Sequence, residues 1–96
     1  MIQNDQFLAV FNSAHRVMKA ENILKRCGLE ILLIPAPRAL STDCGLAIRY
    51  SSDINDLVLQ ALTSENVLPA IIYRKESDLL YEPVWHNEDN VDTENQ

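Results

Sequence analysis

The sequence contains few glycines and no long apolar run. Only two glycines, Gly28 and Gly45, occur in 96 residues, which excludes a glycine-rich phosphate loop because such loops need several glycines close together. No apolar run approaches the length needed to span a bilayer, and no secretory signal precedes the first apolar stretch. We therefore expect a cytoplasmic protein with no membrane partner. The apolar fraction of 47% is sufficient for one hydrophobic core in a chain of this size.

Cysteine and histidine are also scarce, with two of each. Cys27, Cys44, His15 and His86 show none of the close paired spacings that define zinc ligands, so we expect no metal site. A disulfide between the two cysteines is disfavoured in a reducing cytoplasm. We therefore treat the cysteines as two separate thiols.

Positive charge is absent from the C-terminal part of the sequence. Residues 76–96 hold seven of the fourteen acidic residues and no Lys or Arg, whereas residues 1–75 hold the other seven acids and all eight bases. An acidic end repels nucleic-acid phosphates, and the nearly neutral remainder shows no basic stripe with interleaved aromatic residues. We expect no nucleic-acid partner and a disordered acidic tail over 87–96.

Apolar periodicity predicts four strands and two helices. Continuous or alternating apolar stretches indicate strands at 7–11, 30–34, 46–50 and 70–73. A first helix is expected to begin at Asn12 or Ser13 and to end at Gly28, and a second helix covers 54–62. Cys27 continues the apolar stripe of the first helix and is therefore predicted to be a core residue.

The order βαββαβ predicts an α+β fold, the ferredoxin-like two-layer sandwich, in which a four-stranded antiparallel sheet carries both helices on one face. This single domain is expected to cover 1–75. Residues 76–86 are expected to form a C-terminal extension, in which 79–81 and 84–85 pack as a short addition to the domain, and 87–96 are expected to form the acidic tail.

The loop that follows the second strand presents a cysteine. Pro35 and Pro37 stiffen this loop, and Gly45 directly after Cys44 lets the backbone approach whatever meets the sulfur. The right-handed crossover makes the second strand parallel to the first, so this loop leaves the sheet at the end where the first helix begins. We expect His15, in the first turn of that helix, to be a neighbour of Cys44.

This corner of the fold favours anionic sulfur chemistry. The first turn of a helix offers free amides and the positive end of its dipole, which stabilise a thiolate or a persulfide. Arg38 adds a positive charge to the same pocket and Ser41 adds a hydroxyl donor, although each is equally well explained as an ordinary loop residue. Asp43 opposes a thiolate on Cys44 unless it points outward or is neutralised by Arg38.

Two stretches resemble the selenium/sulfur carrier protein-like family, which was first known as a domain of unknown function. Residues 11–21 are similar to the opening phrase of the family, a Thr-His pair followed by Ala and then Glu. Residues 35–50 are similar to its second phrase, which reads Pro-x-Pro-Arg, Ser, Asp-Cys-Gly and an apolar strand ending in Arg and an aromatic residue. The chain departs from the first phrase at Ala14, where the family usually has Thr, and at Val17, where it usually has Ala. The resemblance implies characteristic positions at His15, Glu21, Arg38, Ser41, Cys44 and Gly45.

The resemblance further implies that Cys44 is a carrier thiol. The leading hypothesis is a non-enzymatic carrier that accepts selenium or sulfur from a donor protein and passes it to an acceptor protein. No cofactor is expected other than this transient covalent atom on Cys44.

Two alternatives stay open. The first is a protein interaction module in which Cys44-Gly45 is only a structural turn. The second is a thiol-dependent transferase with Cys44 as nucleophile and His15 as base. An unpaired edge strand also allows a homodimer.

Overall fold

The computed structural model describes residues 5–40, 42 and 44–87. Over this part of the chain the four predicted strands and both predicted helices are confirmed, and one strand is added. A 3₁₀ turn at Ser52–Ile54 leads into the second helix. The elements are β1 (Gln6–Val10), α1 (Ala14–Arg26), β2 (Leu32–Pro35), β3 (Leu46–Ser51), α2 (Asn55–Ser64), β4 (Ile71–Ser77) and β5 (Leu80–His86).

The five strands form one antiparallel sheet in the order β2-β3-β1-β4-β5. β3 lies between β1 and β2, so β1 and β2 run in the same direction without pairing. The C-terminal ends of β1 and β2 and the start of β3 therefore lie at the same end of the sheet. The Cys44 loop is at this end. The predicted count of four strands is wrong, because β5 pairs beside β4.

β5 pairs with β4 from Leu80, opposite Ser77, to His86, opposite Ile71. Its sequence does not predict a strand because Pro83 lies inside it. In the structure, two register shifts in the pairing with β4 interrupt the alternation of apolar and polar residues. An edge strand tolerates a proline because the missing N–H need not face a neighbour. The segment expected to be a short addition thus extends the sheet by a full strand.

β2 is the other edge strand, and it lies slightly later in the chain than predicted. It begins at Leu32 rather than at Glu30, and it includes Pro35, which pairs with Leu46 of β3. Proline was expected to end the strand because it cannot donate to a ladder. At the edge of the sheet this loss is harmless, since one side of the strand has no partner strand.

α1 begins and ends where its local sequence predicts. Ser13 is the N-cap, and its hydroxyl oxygen accepts a hydrogen bond from the Arg16 amide at 3.2 Å. Gly28 follows the helix with φ of +77°, the left-handed conformation that glycine adopts without strain. Within the described residues, no helix has both the length and the apolar composition needed to cross a membrane.

Both helices cover the same face of the sheet. Their buried side chains share one cluster with alternate residues of β1, β3 and β4, so this helix-side core is the main core of the protein. Its members are Ala9, Phe11, Ile48, Tyr50 and Ile72 from the sheet and the segment that follows β1, Val17, Ala20, Ile23 and Leu24 from α1, Val58 and Leu62 from α2, and Val67.

The opposite face of the sheet carries no helix and has a smaller apolar cluster. Leu8, Val10 and Ala47 are buried there, and we call this surface the helix-free face. The residue that covers them is Leu40, which belongs to the loop between β2 and β3 and is only 8% exposed. The loop that carries Cys44 is therefore anchored on the helix-free face.

Candidate functional site

The loop between β2 and β3 is closed by backbone hydrogen bonds. The Ala36 amide donates to the Gly45 carbonyl at 2.9 Å, and the Gly45 amide donates to the Thr42 hydroxyl oxygen at 3.0 Å. Gly45 has φ of +71°, so a side chain at this position would be strained even though no atom lies close enough to clash with it. Gly45 therefore makes the turn that places Cys44 directly before β3.

The Cys44 sulfur lies beside the segment that joins β1 to α1. Its thiol donates to the carbonyl oxygen of Leu46 at 3.3 Å and contacts the carbonyl oxygen of Phe11 at 3.7 Å. The side chain is half-buried and packs against the helix-side core. Phe11 lies two residues before the Ser13 cap, so the sulfur is close to the entry of α1, where the topology predicted the loop to be.

Two amides in the first turn of α1 have no hydrogen-bond acceptor among the described residues. The Ser13 cap satisfies the Arg16 amide, whereas the Ala14 and His15 amides have no acceptor among the residues that the structure describes. No acidic side chain lies in this first turn. An unpaired pair of amides at the positive end of a helix dipole is a region that favours negative charge.

The predicted site residues lie in different environments around this corner. His15 is exposed on the first turn of α1, and Arg38 is exposed on the turn of the Cys44 loop. Neither side chain forms a hydrogen bond or ion pair with a described residue, so no hydrogen bond joins either of them to the Cys44 sulfur. Ser41 and Asp43 lie outside the described residues, and their roles stay predictions.

Glu21, a characteristic position implied by the resemblance, lies on α1 away from its first turn. Its carboxylate forms an ion pair with Lys25 at 3.0 Å, one helical turn along the chain. Such pairs stabilise a helix by a few tenths of a kcal/mol. This contact gives Glu21 a structural role in α1.

The prediction that Cys27 belongs to the core is wrong. Cys27 is exposed, because α1 ends at Arg26 and Cys27 is its C-cap residue. The buried stripe of α1 ends at Ile23 and Leu24, and the chain turns at Gly28 before the sheet or α2 can cover the next side chain. Both thiols are therefore reachable from solvent, and Cys27 is the more exposed of the two.

Possible metal ligands are spread over the part of the chain that the structure describes. No group of three or more His, Cys, Asp or Glu side chains there is arranged to hold a metal ion. No three of the residues considered as zinc ligands, His15, Cys27, Cys44 and His86, therefore lie together.

Two residues of the corner were not predicted from the sequence. Phe11 contributes only its backbone carbonyl, which no side-chain pattern can reveal. Leu40 contributes a buried anchor, and its signal was available, since it is the single large apolar residue between Pro37 and Gly45. An isolated leucine in an otherwise polar loop often marks a point where the loop returns to the core.

The sequence matches a family model described as "Putative Se/S carrier protein-like" over residues 6–74. The matched range includes both helices, the Cys44 loop and most of β4, and it ends before β5. No curated protein and no solved structure matches the chain.

Proposed function

The chain belongs to the Se/S carrier protein-like family, and on this premise we propose that it is a non-enzymatic carrier that holds sulfur or selenium on Cys44. The observation that carries the proposal is the position of the Cys44 thiol, half-buried in a glycine-closed loop beside the entry of α1. A donor protein supplies the chalcogen and an acceptor protein receives it.

Loading is a thiol exchange that needs no external oxidant. The Cys44 thiolate attacks the terminal sulfur or selenium of a donor persulfide or selenosulfide, and a new bond forms between this atom and the Cys44 sulfur. The bond between the two chalcogen atoms of the donor breaks, and the donor leaves as a thiolate that takes up the proton lost by Cys44. In delivery, a nucleophile of the acceptor attacks the same terminal atom and Cys44 leaves as a thiolate.

The neighbours of the sulfur support both the resting and the loaded state. The Leu46 and Phe11 carbonyl oxygens are hydrogen-bond acceptors for the Cys44 thiol and hold the resting side chain in place. The terminal S–H or Se–H group of the adduct is acidic and loses its proton. The resulting negative charge is stabilised by the Ala14 and His15 amides at the start of α1, which have no acceptor among the described residues. Arg38, exposed on the loop, adds a positive charge that attracts an anionic donor.

The fold supports this reading of the corner. The order β2-β3-β1-β4 is the order that a βαββαβ chain takes in the split-βαβ, ferredoxin-like arrangement, and we assign the fold to that class with β5 as an added edge strand. This topology brings the β2–β3 loop and the start of α1 to the same end of the sheet.

The loading step is tested by intact-mass analysis. The reduced protein is incubated with glutathione persulfide, or with the corresponding selenosulfide, and compared with Cys44→Ala and Cys27→Ala. We expect a mass gain of one chalcogen atom in the wild type and in Cys27→Ala, and none in Cys44→Ala. Cys27→Ala is the matched control because Cys27 is the more exposed of the two thiols.

Two results would contradict the carrier proposal. An adduct that persists in Cys44→Ala and disappears in Cys27→Ala would assign the chemistry to Cys27, at the C-terminal end of α1. Equal adduct formation on both cysteines, mapped by peptide analysis, would show that the position of Cys44 gives it no preference for the chalcogen.

A second candidate function is a protein interaction module. It is favoured by exposed leucines on both edge strands, Leu32 on β2, which is 49% exposed, and Leu80 on β5, which is 61% exposed. In this case Cys44→Ala binds a partner as tightly as the wild type. In a carrier, the same substitution abolishes transfer even where binding persists.

A further inference from the structure

A cleft lies at the end of the sheet opposite Cys44. It has a volume of about 510 Å³ and is lined by the start of β1, the end of β3 and the residues that lead into β2. Cys44 precedes β3, whereas Arg49 and Ser51 of the cleft stand at the far end of that strand. A cavity of this volume is of the size that holds a small molecule.

Strand register places the polar side chains of this cleft on one face of the sheet. Gln6 pairs with Ser51, and Arg49 lies between Leu8 of β1 and Leu32 of β2. Alternate residues of a strand share a face, so Gln6, Arg49 and Ser51 all lie on the helix-free face with Leu8. Polar side chains of β1 and β3 thus share one concave surface, and the apolar Leu32 of β2 also lines it.

Arg49 is the principal feature of the cleft. Its side chain is half-buried, and it forms no hydrogen bond or ion pair with any residue that the structure describes. Arg74, by contrast, is paired with Glu76 and Glu82. A partly desolvated guanidinium without a counter-ion favours binding of a carboxylate, which its planar fork holds by two parallel hydrogen bonds.

Ser51 gives an independent indication of a missing partner. Across the described residues, its hydroxyl oxygen is the one buried side-chain polar atom without a hydrogen bond. Buried polar groups are nearly always satisfied, so an orphan next to an unpaired arginine calls for an explanation. Rotation about the serine χ1 angle can turn this hydroxyl toward a ligand on Arg49.

The cleft also carries a negative side chain. Glu30 lines it, and no cation of the described residues lies within ion-pair distance of its carboxylate. A cleft with a positive group and a negative group that do not pair with each other is complementary to a ligand that has both charges. Gln6 adds an amide that can donate to one end of such a ligand and accept from the other.

We propose that this cleft binds a free α-amino acid, with the ligand carboxylate on Arg49 and its ammonium group facing Glu30. Leu32, which is 49% exposed, offers apolar surface for the ligand side chain. The site is separate from the Cys44 corner and does not depend on chalcogen transfer.

The proposal is tested by titrating the isotope-labelled full chain with each common amino acid while backbone amide signals are followed by NMR. We expect at least one amino acid to shift the signals of Gln6, Leu32, Arg49 and Ser51. Its des-amino analogue, which has the carboxylate alone, should bind about tenfold more weakly, and so should the amine that lacks the carboxylate.

Variants then assign the charges. Arg49→Met keeps the apolar stem and should weaken binding about tenfold or more. Arg49→Lys should recover part of the loss, because it keeps the charge without the planar fork. Glu30→Gln should abolish the preference for the amino acid over its des-amino analogue. Arg26→Met, at the exposed end of α1, is the control that should change nothing.

Cys44→Ala separates this site from the carrier site, and it should bind the amino acid as the wild type does. The proposal is overturned if no amino acid shifts the cleft signals or if Arg49→Met binds as tightly as the wild type. It is also overturned if the des-amino analogue binds equally well, or if the shifts map to the Cys44 loop and vanish in Cys44→Ala.

Discussion

The Cys44 sulfur lies 3.7 Å from the carbonyl oxygen of Phe11, a residue 33 positions earlier in the chain. This contact joins the loop between β2 and β3 to the segment between β1 and α1. The surroundings of the sulfur therefore depend on two loops at once. A change in the packing of either loop should alter the reactivity of Cys44 without touching the cysteine.

The two thiols should differ in their reaction with a small neutral reagent. In the folded protein we expect iodoacetamide to modify Cys27 faster than Cys44, because Cys27 is exposed and the Cys44 thiol is half-buried and hydrogen-bonded. Peptide mapping over a time course measures both rates. In denaturant the two rates should become similar, and a native Cys44 that reacts faster than Cys27 would contradict the observed burial.

Ser13→Ala should destabilise the protein by about 1 kcal/mol, the usual cost of removing a helix N-cap. The substitution leaves the Arg16 amide without the acceptor that it has at 3.2 Å. Urea unfolding gives the change in free energy. Ser64→Ala is the matched control, since the Ser64 hydroxyl donates to an exposed carbonyl and caps no amide. Similar decreases in unfolding free energy in both variants would show that Ser13 does not stabilise α1 as an N-cap.

Leu40→Ala should destabilise the protein by about 2 kcal/mol, at the lower end of the range for a buried leucine, because its cluster has only four buried members. Leu40 is 8% exposed and covers Leu8, Val10 and Ala47. Amide hydrogen exchange of residues 36–45 should become faster. Leu79→Ala, at a position 85% exposed, should leave both quantities unchanged. Unchanged exchange in Leu40→Ala would mean that the loop is held without this anchor.

β5 should contribute to stability although it lies beyond the range of the family match. Trp85 pairs with Ile72 and packs against the helix-side core, so Trp85→Ala should cost about 2 kcal/mol, less than a fully buried tryptophan. Deletion of residues 88–96, which contain Val91 as their only large apolar residue, should leave the unfolding free energy unchanged. Thermal and urea unfolding of both variants test this difference, and a larger loss from the deletion would reverse it.

Stability should fall at high pH because of Tyr50. Burial raises the pKa of the Tyr50 hydroxyl above its ordinary value, and this hydroxyl donates to Asn55 at 2.7 Å. Above about pH 10 the unfolded chain releases the proton that the folded protein retains, so the unfolding free energy decreases by up to about 1.4 kcal/mol per pH unit. Below that pH both states hold the proton and the contribution is constant.

Tyr50→Phe removes this titration. Its unfolding free energy should be lower than that of the wild type at neutral pH, since a hydrogen bond is lost, and the gap should narrow as the pH rises above about 10. Tyr81→Phe, on the edge strand β5, is a control for general tyrosine ionisation. A constant gap between wild type and Tyr50→Phe from neutral to alkaline pH would contradict the role of burial.

Local chemistry was enough to predict α1 and the turn at Gly45. A cap such as Ser13 acts on an amide three residues away, and Gly28 and Gly45 adopt left-handed backbone at single positions. These effects are decided within one turn of chain, so they are visible in the sequence. The βαββαβ order, and with it the corner where the Cys44 loop meets the entry of α1, followed from such local signals and from the handedness of the crossover.

Burial and long-range pairing were decided only by the tertiary structure. Cys27 follows the periodicity of a buried stripe, yet it is exposed because the helix ends one residue earlier and the buried part of the stripe ends at Leu24. β5 carries a proline and two register shifts, and it is a strand because β4 offers it an open edge. The Phe11 carbonyl and the Leu40 anchor depend likewise on elements distant in sequence. Whether a side chain is buried depends on which distant element packs against it, and a local sequence pattern contains no information about that packing.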